Sequence, residues 1–297
     1  IRGHSVTWGK EAKIVDWLKS KPADQITPNV HRRCDYLAEH YGDRCEYLGL
    51  IILTGFIVSF ARFKHWDVNN EAMHGHWYED NTGNWQFTPD LIRYCHSVNK
   101  APKYFTNDFN VISNGVFTAF YQKEVLDYVK AGVPVNGMGI QSHLTKDLDM
   151  ERIKFRLDFL ATAGVPLWIT EFDIRNTDIA YRAGKTEDAL RLFFSHPAVE
   201  GIVLWTFWDG ASQYADTALV DGDDFEENAA GKKVRELFLE EWRTNESIRL
   251  SAEKSQTKLL RAFYGTHDLM VLNGGAQIAN FTFEFERGQN PEISINI

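Results

Sequence analysis

Short apolar runs that end in polar residues alternate along this chain with longer stretches of helical period, the alternation that βα units and a parallel sheet produce. The strand candidates cover residues 1–8, 63–68, 103–106, 137–140, 167–170 and 201–206. Between them lie amphipathic segments over residues 116–131, with Phe117, Phe120, Tyr121, Val125, Tyr128 and Val129 on one stripe, and over residues 150–163. Gly132 and Gly164 follow these segments and read as helix C-caps. From the second onward, each strand candidate runs into Asn, Asp, Glu, Gln, His or Trp. Polar and aromatic side chains therefore gather at strand carboxyl ends, the active face of a parallel barrel.

Six such units can be counted, where a closed barrel has eight, and the chain opens on a strand with neither a signal peptide nor an initiating methionine. The expected architecture is α/β: a (β/α) barrel lacking its first two βα units over residues 1–249, then a small β-rich region over residues 250–297. In that last region the segment from Phe281 to Glu286 alternates, Asn273 and two glycines supply a turn, and Ile293 opens a second alternating run. The plainer reading is a packing module for the barrel, the other a carbohydrate-binding one. One stretch breaks the pattern. Residues 47–61 carry no charge, yet are too short for a membrane span of about 20 residues. A barrel would lead from Arg44 almost straight into Phe63, so residues 45–62 are expected to be an insertion such as translated intron. A native peptide spanning them would refute that.

Composition narrows the function classes. At 297 residues, 44% hydrophobic and 25% charged, the chain can bury a sizeable core and is neither disordered nor a polytopic membrane protein. Its net charge of −9, with no basic run, excludes a polyanion such as nucleic acid as main partner. The 9 Trp, 11 Tyr and 20 Phe change the picture more, since flat aromatic faces suit sugar rings, although most will be core. Cys34, Cys45 and Cys95 show no C-x-x-C spacing and cannot all pair within one chain. Two glycosylation sequons begin at Asn245 and Asn280; a chain this long carries such motifs by chance, and they are compatible with secretion.

Two glutamates stand where an apolar strand gives way to a loop: Glu71, ending the run from His65 to Asn70, and Glu171, ending Leu167 to Thr170. Alone, either reads as a solvated loop acid. Together, in Trp- and Asn-rich strings that open into one mouth, they offer the pair that glycoside hydrolysis with retention requires. One acid protonates the leaving oxygen and one carboxylate attacks the anomeric carbon, about 5–5.5 Å away.

These strings resemble glycoside hydrolase family 10, mainly endo-β-1,4-xylanases, over about residues 1–245. The resemblance implies a (β/α)8 TIM barrel. The motif from Arg2 to Trp8 is similar to the family's third strand, in which His4 and Trp8 would border the sugar at the cleavage site. Asn70 and Glu71 resemble the fourth-strand pair, Glu71 being the acid/base and Asn70 a partner of the sugar 2-hydroxyl. Asn107 and Asp108 resemble the supporting fifth-strand segment, for which turn-forming residues are the rival reading. Gln141 and His143 resemble the sixth-strand motif that orients the nucleophile. A metal reading of His143 lacks spaced partners, and His74 with His76 reads as loop. Glu171 resembles the nucleophile, with Asp173 placed to hydrogen-bond to His143 so that His143 bridges the two acids. Trp205 resembles the aromatic floor under the ring.

The mechanism this implies needs no metal or cofactor. Glu71 is expected to stay protonated near neutral pH with help from the negative charge of Glu171, while His143 and Asn107 keep Glu171 ionised. The expected partner is a polysaccharide, xylan or a related β-1,4-glycan, acted on by a secreted monomer with no membrane or nucleic-acid contact. Two departures from the family pattern matter. The second-strand sugar contacts would precede Ile1, and Gln213 stands where the family usually has a second Trp, with Trp208 as a possible compensation. The smaller residue favours mixed xylanase and β-glucanase activity. The rival classes are a carbohydrate-binding barrel without activity and a barrel of unrelated chemistry.

Overall fold

The computed structural model describes residues 1–41, 63–145, 148–249, 251, 257–289 and 292–294. The apolar stretch over residues 45–62, expected as an insertion, lies outside the described residues. The chain divides into two compact units, Ile1–Gly231 and Lys232–Ile297.

In chain order the first unit runs β1 (Arg2–Trp8), α1 (Asp16–Lys19), α2 (Ala23–Tyr41), β2 (His65–Asn70), α3 (Trp77–Thr82), α4 (Phe87–Val98), β3 (Lys103–Asp108), α5 (Gly115–Lys130), β4 (Gly137–Ile140), β5 (His143–Leu144), α6 (Met150–Ala161), β6 (Leu167–Ile174), α7 (Ile179–Ser195) and β7 (Val199–Leu204). The short pair β8 (Val220–Asp221) and β9 (Glu226–Glu227) precedes α8 (Ala229–Glu236), which crosses into the second unit. The long strands form one parallel sheet in the order β1-β2-β3-β4-β6-β7, and β5 adds a short pairing to β6. All six strands expected from the sequence are present; β2 lies about two residues later than expected, β7 about two earlier, and β6 continues to Ile174.

Side-chain size decides how neighbouring strands fit. A Cβ on Gly137 would sit 2.1 Å from the Phe105 ring, and one on Gly201 would sit 2.3 Å from Trp168. Glycine on one strand thus makes room for an aromatic on the next. Inside the sheet's curve, the Arg2 guanidinium lies 4.5 Å from the Phe105 ring, and His65 packs 4.9 Å from Phe105 and 4.5 Å from Trp168. On the outer side, Trp66 and Val68 of β2 join a core with Val30 and Cys34 of α2 and Leu91 and Ile92 of α4. A disulfide joins Cys34 to Cys95 across α2 and α4, with Cα atoms 5.6 Å apart.

Register irregularities place the functional residues. A regular strand sends Asp67 and Asn70, three apart, to opposite faces, but the β2–β3 register shifts between them. Both then face the same side, Asp67 toward His4 and Asn70 toward Asn107. The helices follow their caps: side chains of Asn114, Asp149 and Asp178 accept from backbone N–H groups in the first turns of α5, α6 and α7. Gly132 and Gly164 take positive φ, 66° and 80°, just beyond α5 and α6. The stripe expected on α5 is narrower than its sequence suggests. Tyr121 and Val125 are buried with Thr118, whereas Phe120 and Val129 are 62% and 39% exposed. The buried face is centred on Thr118, Tyr121 and Val125, and Phe120 lies off that centre on the solvent side.

In the second unit β10 (Gly265–Asn273) and β11 (Ala276–Phe285) form an antiparallel hairpin. Gly274 and Gly275 take φ of 57° and 86° in the turn, as the Asn-Gly-Gly sequence requires. Of the alternating run expected from Ile293, residues 292–294 carry no strand and the rest lies outside the described residues.

Candidate active site

The site residues expected from the sequence stand at or just beyond strand carboxyl ends, except His4 within β1, Glu171 within β6, which continues to Ile174, and His143, which opens the short β5. Glu171 on β6 and Glu71 just after β2 are both buried. They belong to one polar cluster but have unlike partners. Glu171 Oε1 accepts from Asn107 Nδ2 at 2.8 Å, and Oε2 lies 3.2 Å from His143 Nε2. Nδ1 of His143 lies 3.0 Å from Asp173 Oδ1, so the ring bridges the two acids. Burial pushes His143 down, but the hydrogen bonds and charges of Asp173 and Glu171 outweigh it and raise the ring to about 9. It is therefore an imidazolium at neutral pH, donating from both nitrogens.

Asn107 organises the centre. Its Nδ2 also donates to Asn70 Oδ1 at 2.8 Å, and its Oδ1 accepts from Thr170 Oγ1 at 2.5 Å. Gln141 Nε2 lies 3.4 Å from Asn70 Oδ1 and 3.2 Å from Glu71 Oε1, linking the two halves of the cluster. Among the described residues, Asn70 Nδ2 and the indole N–H of Trp8 are buried donors with no partner in hydrogen-bond alignment. Such donors suit a ligand's hydroxyls.

Glu71 occupies left-handed backbone, φ 57° and ψ 36°, which costs a non-glycine residue roughly 1–2 kcal/mol. The turn that imposes it is held from below by Asp108. The Asp108 carboxylate accepts from Met73 N and Phe109 N at 2.9 Å, and His74 Nδ1 lies 2.5 Å away. His74, read from sequence as plain loop, is thus a fixed part of this turn and stacks on Phe109 at 3.7 Å.

The protonation expected for Glu71 is reversed. Burial is the largest single influence and raises its carboxyl, but nearby Trp8, hydrogen bonds from Gln141 and Lys10, and the Lys10 charge together hold it below the ordinary value. The Trp8 indole is close enough to contribute, although not in hydrogen-bond alignment. Lys10 Nζ sits 3.2 Å from Glu71 Oε2. This lysine was not singled out in the sequence. Charge from Glu171 is not among the leading influences, so the expected cause was also wrong.

Aromatic walls complete the site. His4, held by Asp67 at 3.0 Å, stands 3.9 Å from Glu171 Oε1. Trp205, just after β7, packs edge-on at 6.2 Å from His4 and 5.8 Å from His143, and Trp8 lies 5.4 Å from His4. Burial lowers His4, but Asp67 and then Glu171 raise it by more. Trp208, expected to compensate for Gln213, is anchored through its own loop. Its indole donates to Gly222 O at 2.7 Å and ties its own loop to β8, while Gln213 is exposed.

Residues 1–238 match the profile described as Glycosyl hydrolase family 10. Endo-1,4-beta-xylanase 3 of Arabidopsis thaliana is 30% identical over 301 residues, covering 100% of this chain and 37% of that protein. Anti-sigma-I factor RsgI6 of Acetivibrio thermocellus is 30% identical over 295 residues, covering 97% of this chain and 35% of its own length. The chain thus spans little more than a third of the length of these curated relatives. Among solved structures, TsXylA, an intracellular xylanase from Thermoanaerobacterium saccharolyticum, superposes with a TM-score of 0.66 at 22% identity, covering 78% of this chain and 74% of that one. That likeness shows a (β/α)8 barrel fold, six of whose eight long strands lie among the described residues. With a match that runs through every strand of the sheet, the chain belongs to glycosyl hydrolase family 10.

Proposed function

We propose that this barrel is the catalytic part of a retaining endo-β-1,4-xylanase in which Glu171 is the nucleophile and Glu71 the acid/base. The observation that carries the reading is the difference between two buried carboxylates in one cluster. Glu171 is clamped at both oxygens by donors, Asn107 and the His143 imidazolium, which fix an ionised oxygen for attack. Glu71 sits on a strained turn, with one oxygen toward the neutral Gln141 and the other 3.2 Å from the more exposed Lys10 ammonium, so it lacks the nucleophile's clamp of buried asparagine and bridging imidazolium.

In the first step Glu71 gives its proton to the glycosidic oxygen as that oxygen leaves the anomeric carbon, and Glu171 forms the bond that replaces it. In the second, water attacks the anomeric carbon, its proton passes to the Glu71 carboxylate, and the bond to Glu171 breaks. Trp205 and Trp8 supply ring faces, and the free amide N–H of Asn70 meets a sugar hydroxyl. The names of the xylanase relatives support xylan as substrate. The exposed Gln213 supports additional β-glucan cleavage. A polysaccharide substrate and the Cys34–Cys95 disulfide favour secretion.

Glu171→Gln is expected to abolish xylan turnover, by at least about a thousandfold, while oligosaccharide binding persists. Proton NMR of the first product should show the β anomer; the α anomer would rule out double displacement. A second reading is a glycan-binding barrel without activity. It requires wild-type protein to bind xylo-oligosaccharide yet leave it uncut.

A further inference from the structure

Lys10 lies beyond the end of β1, and its position is built rather than accidental. The Gly9 N–H donates to Asn70 O at 2.7 Å, and the Gly9 carbonyl accepts from Trp77 N at 3.2 Å. The backbone of Gly9 and Lys10 is thereby pressed against the turn that follows Glu71. A Cβ on Gly75 would lie 2.6 Å from Lys10 Cα and N, so only glycine lets the two segments approach this closely. From this anchor the Lys10 ammonium reaches two partners, Glu71 Oε2 at 3.2 Å and the face of Phe109 at 4.6 Å. The other charged or titratable groups of the cluster include His4 on β1 with Asp67 on β2, Glu171 and Asp173 on β6, His143 on β5, the His74–Asp108 pair beneath the turn, and Lys13, whose ammonium lies 5.1 Å from the Trp8 ring. Among the described residues, Lys10 is the one cation paired with the Glu71 carboxylate.

We propose that Lys10 is a positioning residue that biases the acid/base carboxyl toward its ionised form, favouring the base half of the double displacement and confining the acid half to lower pH. This rests on the assignment of Glu71 as acid/base. The ammonium stabilises the carboxylate, which is the form that must accept the proton of the attacking water. It opposes the protonated form, which must give its proton to the leaving oxygen. The fixed cation therefore trades one half-reaction against the other, and the carboxyl held below its ordinary value is the signature of that bias. No bond to Lys10 forms or breaks in either step.

The test is a pH profile on 4-nitrophenyl β-xylobioside for the wild type, Lys10→Met and Lys10→Arg. The Lys10→Met alkaline limb of kcat/KM is expected to move up by about half to one pH unit, the size for a half-exposed pair. Lys10→Arg should keep the wild-type limb. On a 2,4-dinitrophenyl glycoside, whose departure needs no acid, Lys10→Met should lower kcat by a factor that grows as the buffer is made more acid and reaches about threefold to tenfold once the pH falls below the Glu71 titration, because less Glu71 is ionised there. A merely structural lysine would lower activity equally at every pH. That result, or a rise in KM with the limb unmoved, overturns the proposal.

The parent assignment is tested separately with Glu71→Ala and azide on the dinitrophenyl substrate. Rescue that yields the β-glycosyl azide upholds Glu71 as acid/base, and an unmoved Lys10→Met limb then counts against Lys10 alone. Without rescue the Glu71 assignment fails and this proposal falls with it.

Discussion

His143 shows how a single side chain couples stability to chemistry. Asp173 and Glu171 hold its imidazole up at about 9, whereas a free histidine loses its proton at 6.5. The folded state thus keeps a proton that the unfolded chain releases. The resulting stabilisation is complete below about 6.5 and disappears as pH rises through about 9. Asp173→Asn removes one of the two carboxylates and should destabilise the protein by on the order of 1–2 kcal/mol near pH 6, allowing for solvent screening. Its deficit against wild type should shrink above pH 9, as read by denaturant midpoints at both pH values. A deficit that stayed constant with pH would mean that Asp173 acts through packing. The same residues mark what was legible in the sequence. Glu71 and Glu171 were visible because each stands where a strand-like run gives way, and Asn70 and His143 because their motifs resemble those of the family. Lys10 was not, because its meeting with Glu71 depends on Gly9 and Gly75, which a linear reading does not bring together. His74 reads as loop and lies in the turn after β2, but its pairing with Asp108 on β3 was hidden for the same reason.

Among the elements, strands were easier to foresee than their registers. The alternation that marks β2 says nothing of the shift between Asp67 and Asn70, although that shift brings Asn70 to the reacting side. Helix α5 was found with its caps, yet its apolar stripe was read too broadly, since exposed Phe120 is as hydrophobic as buried Tyr121. Three unspaced cysteines left pairing open, and it took the packing of α2 against α4 to bring Cys34 and Cys95 together. Their separation of 61 residues makes the crosslink a strong restriction on the unfolded chain, worth about 2–4 kcal/mol. Cys34→Ser with Cys95→Ser should lower the thermal midpoint by several degrees, while a reducing agent has the same effect on wild type and none on the double variant. Activity at low temperature should survive, because neither cysteine touches the polar cluster.

On the scale of the whole molecule, several ionisable groups incline stability the same way. Burial raises the part-buried Glu124 to about 7 despite the hydrogen bond it accepts from Tyr128, and it also raises Glu79 and Asp108. A carboxyl raised on folding binds its proton more tightly in the native state. Its stabilising contribution is full below the unfolded value of 4.5 and is lost as pH climbs through about 7. His143 adds a loss of the same sign at higher pH, and a chain of net charge −9 repels itself more as its remaining protons leave. Glu71 and Asp158, held low, and His65 and His31, lowered by burial, oppose this trend, the carboxyls chiefly below about pH 5.5 and His65 between about 4 and 6.5. The thermal midpoint is therefore expected to be higher at pH 5.5 than at pH 8.5. Glu124→Gln cannot ionise and should recover roughly 1–2 kcal/mol of the difference, about 2–8 °C for a chain of this size. Two midpoints each for wild type and variant decide it: equal pH slopes would show that Glu124 is solvated in the folded state and that the trend arises elsewhere.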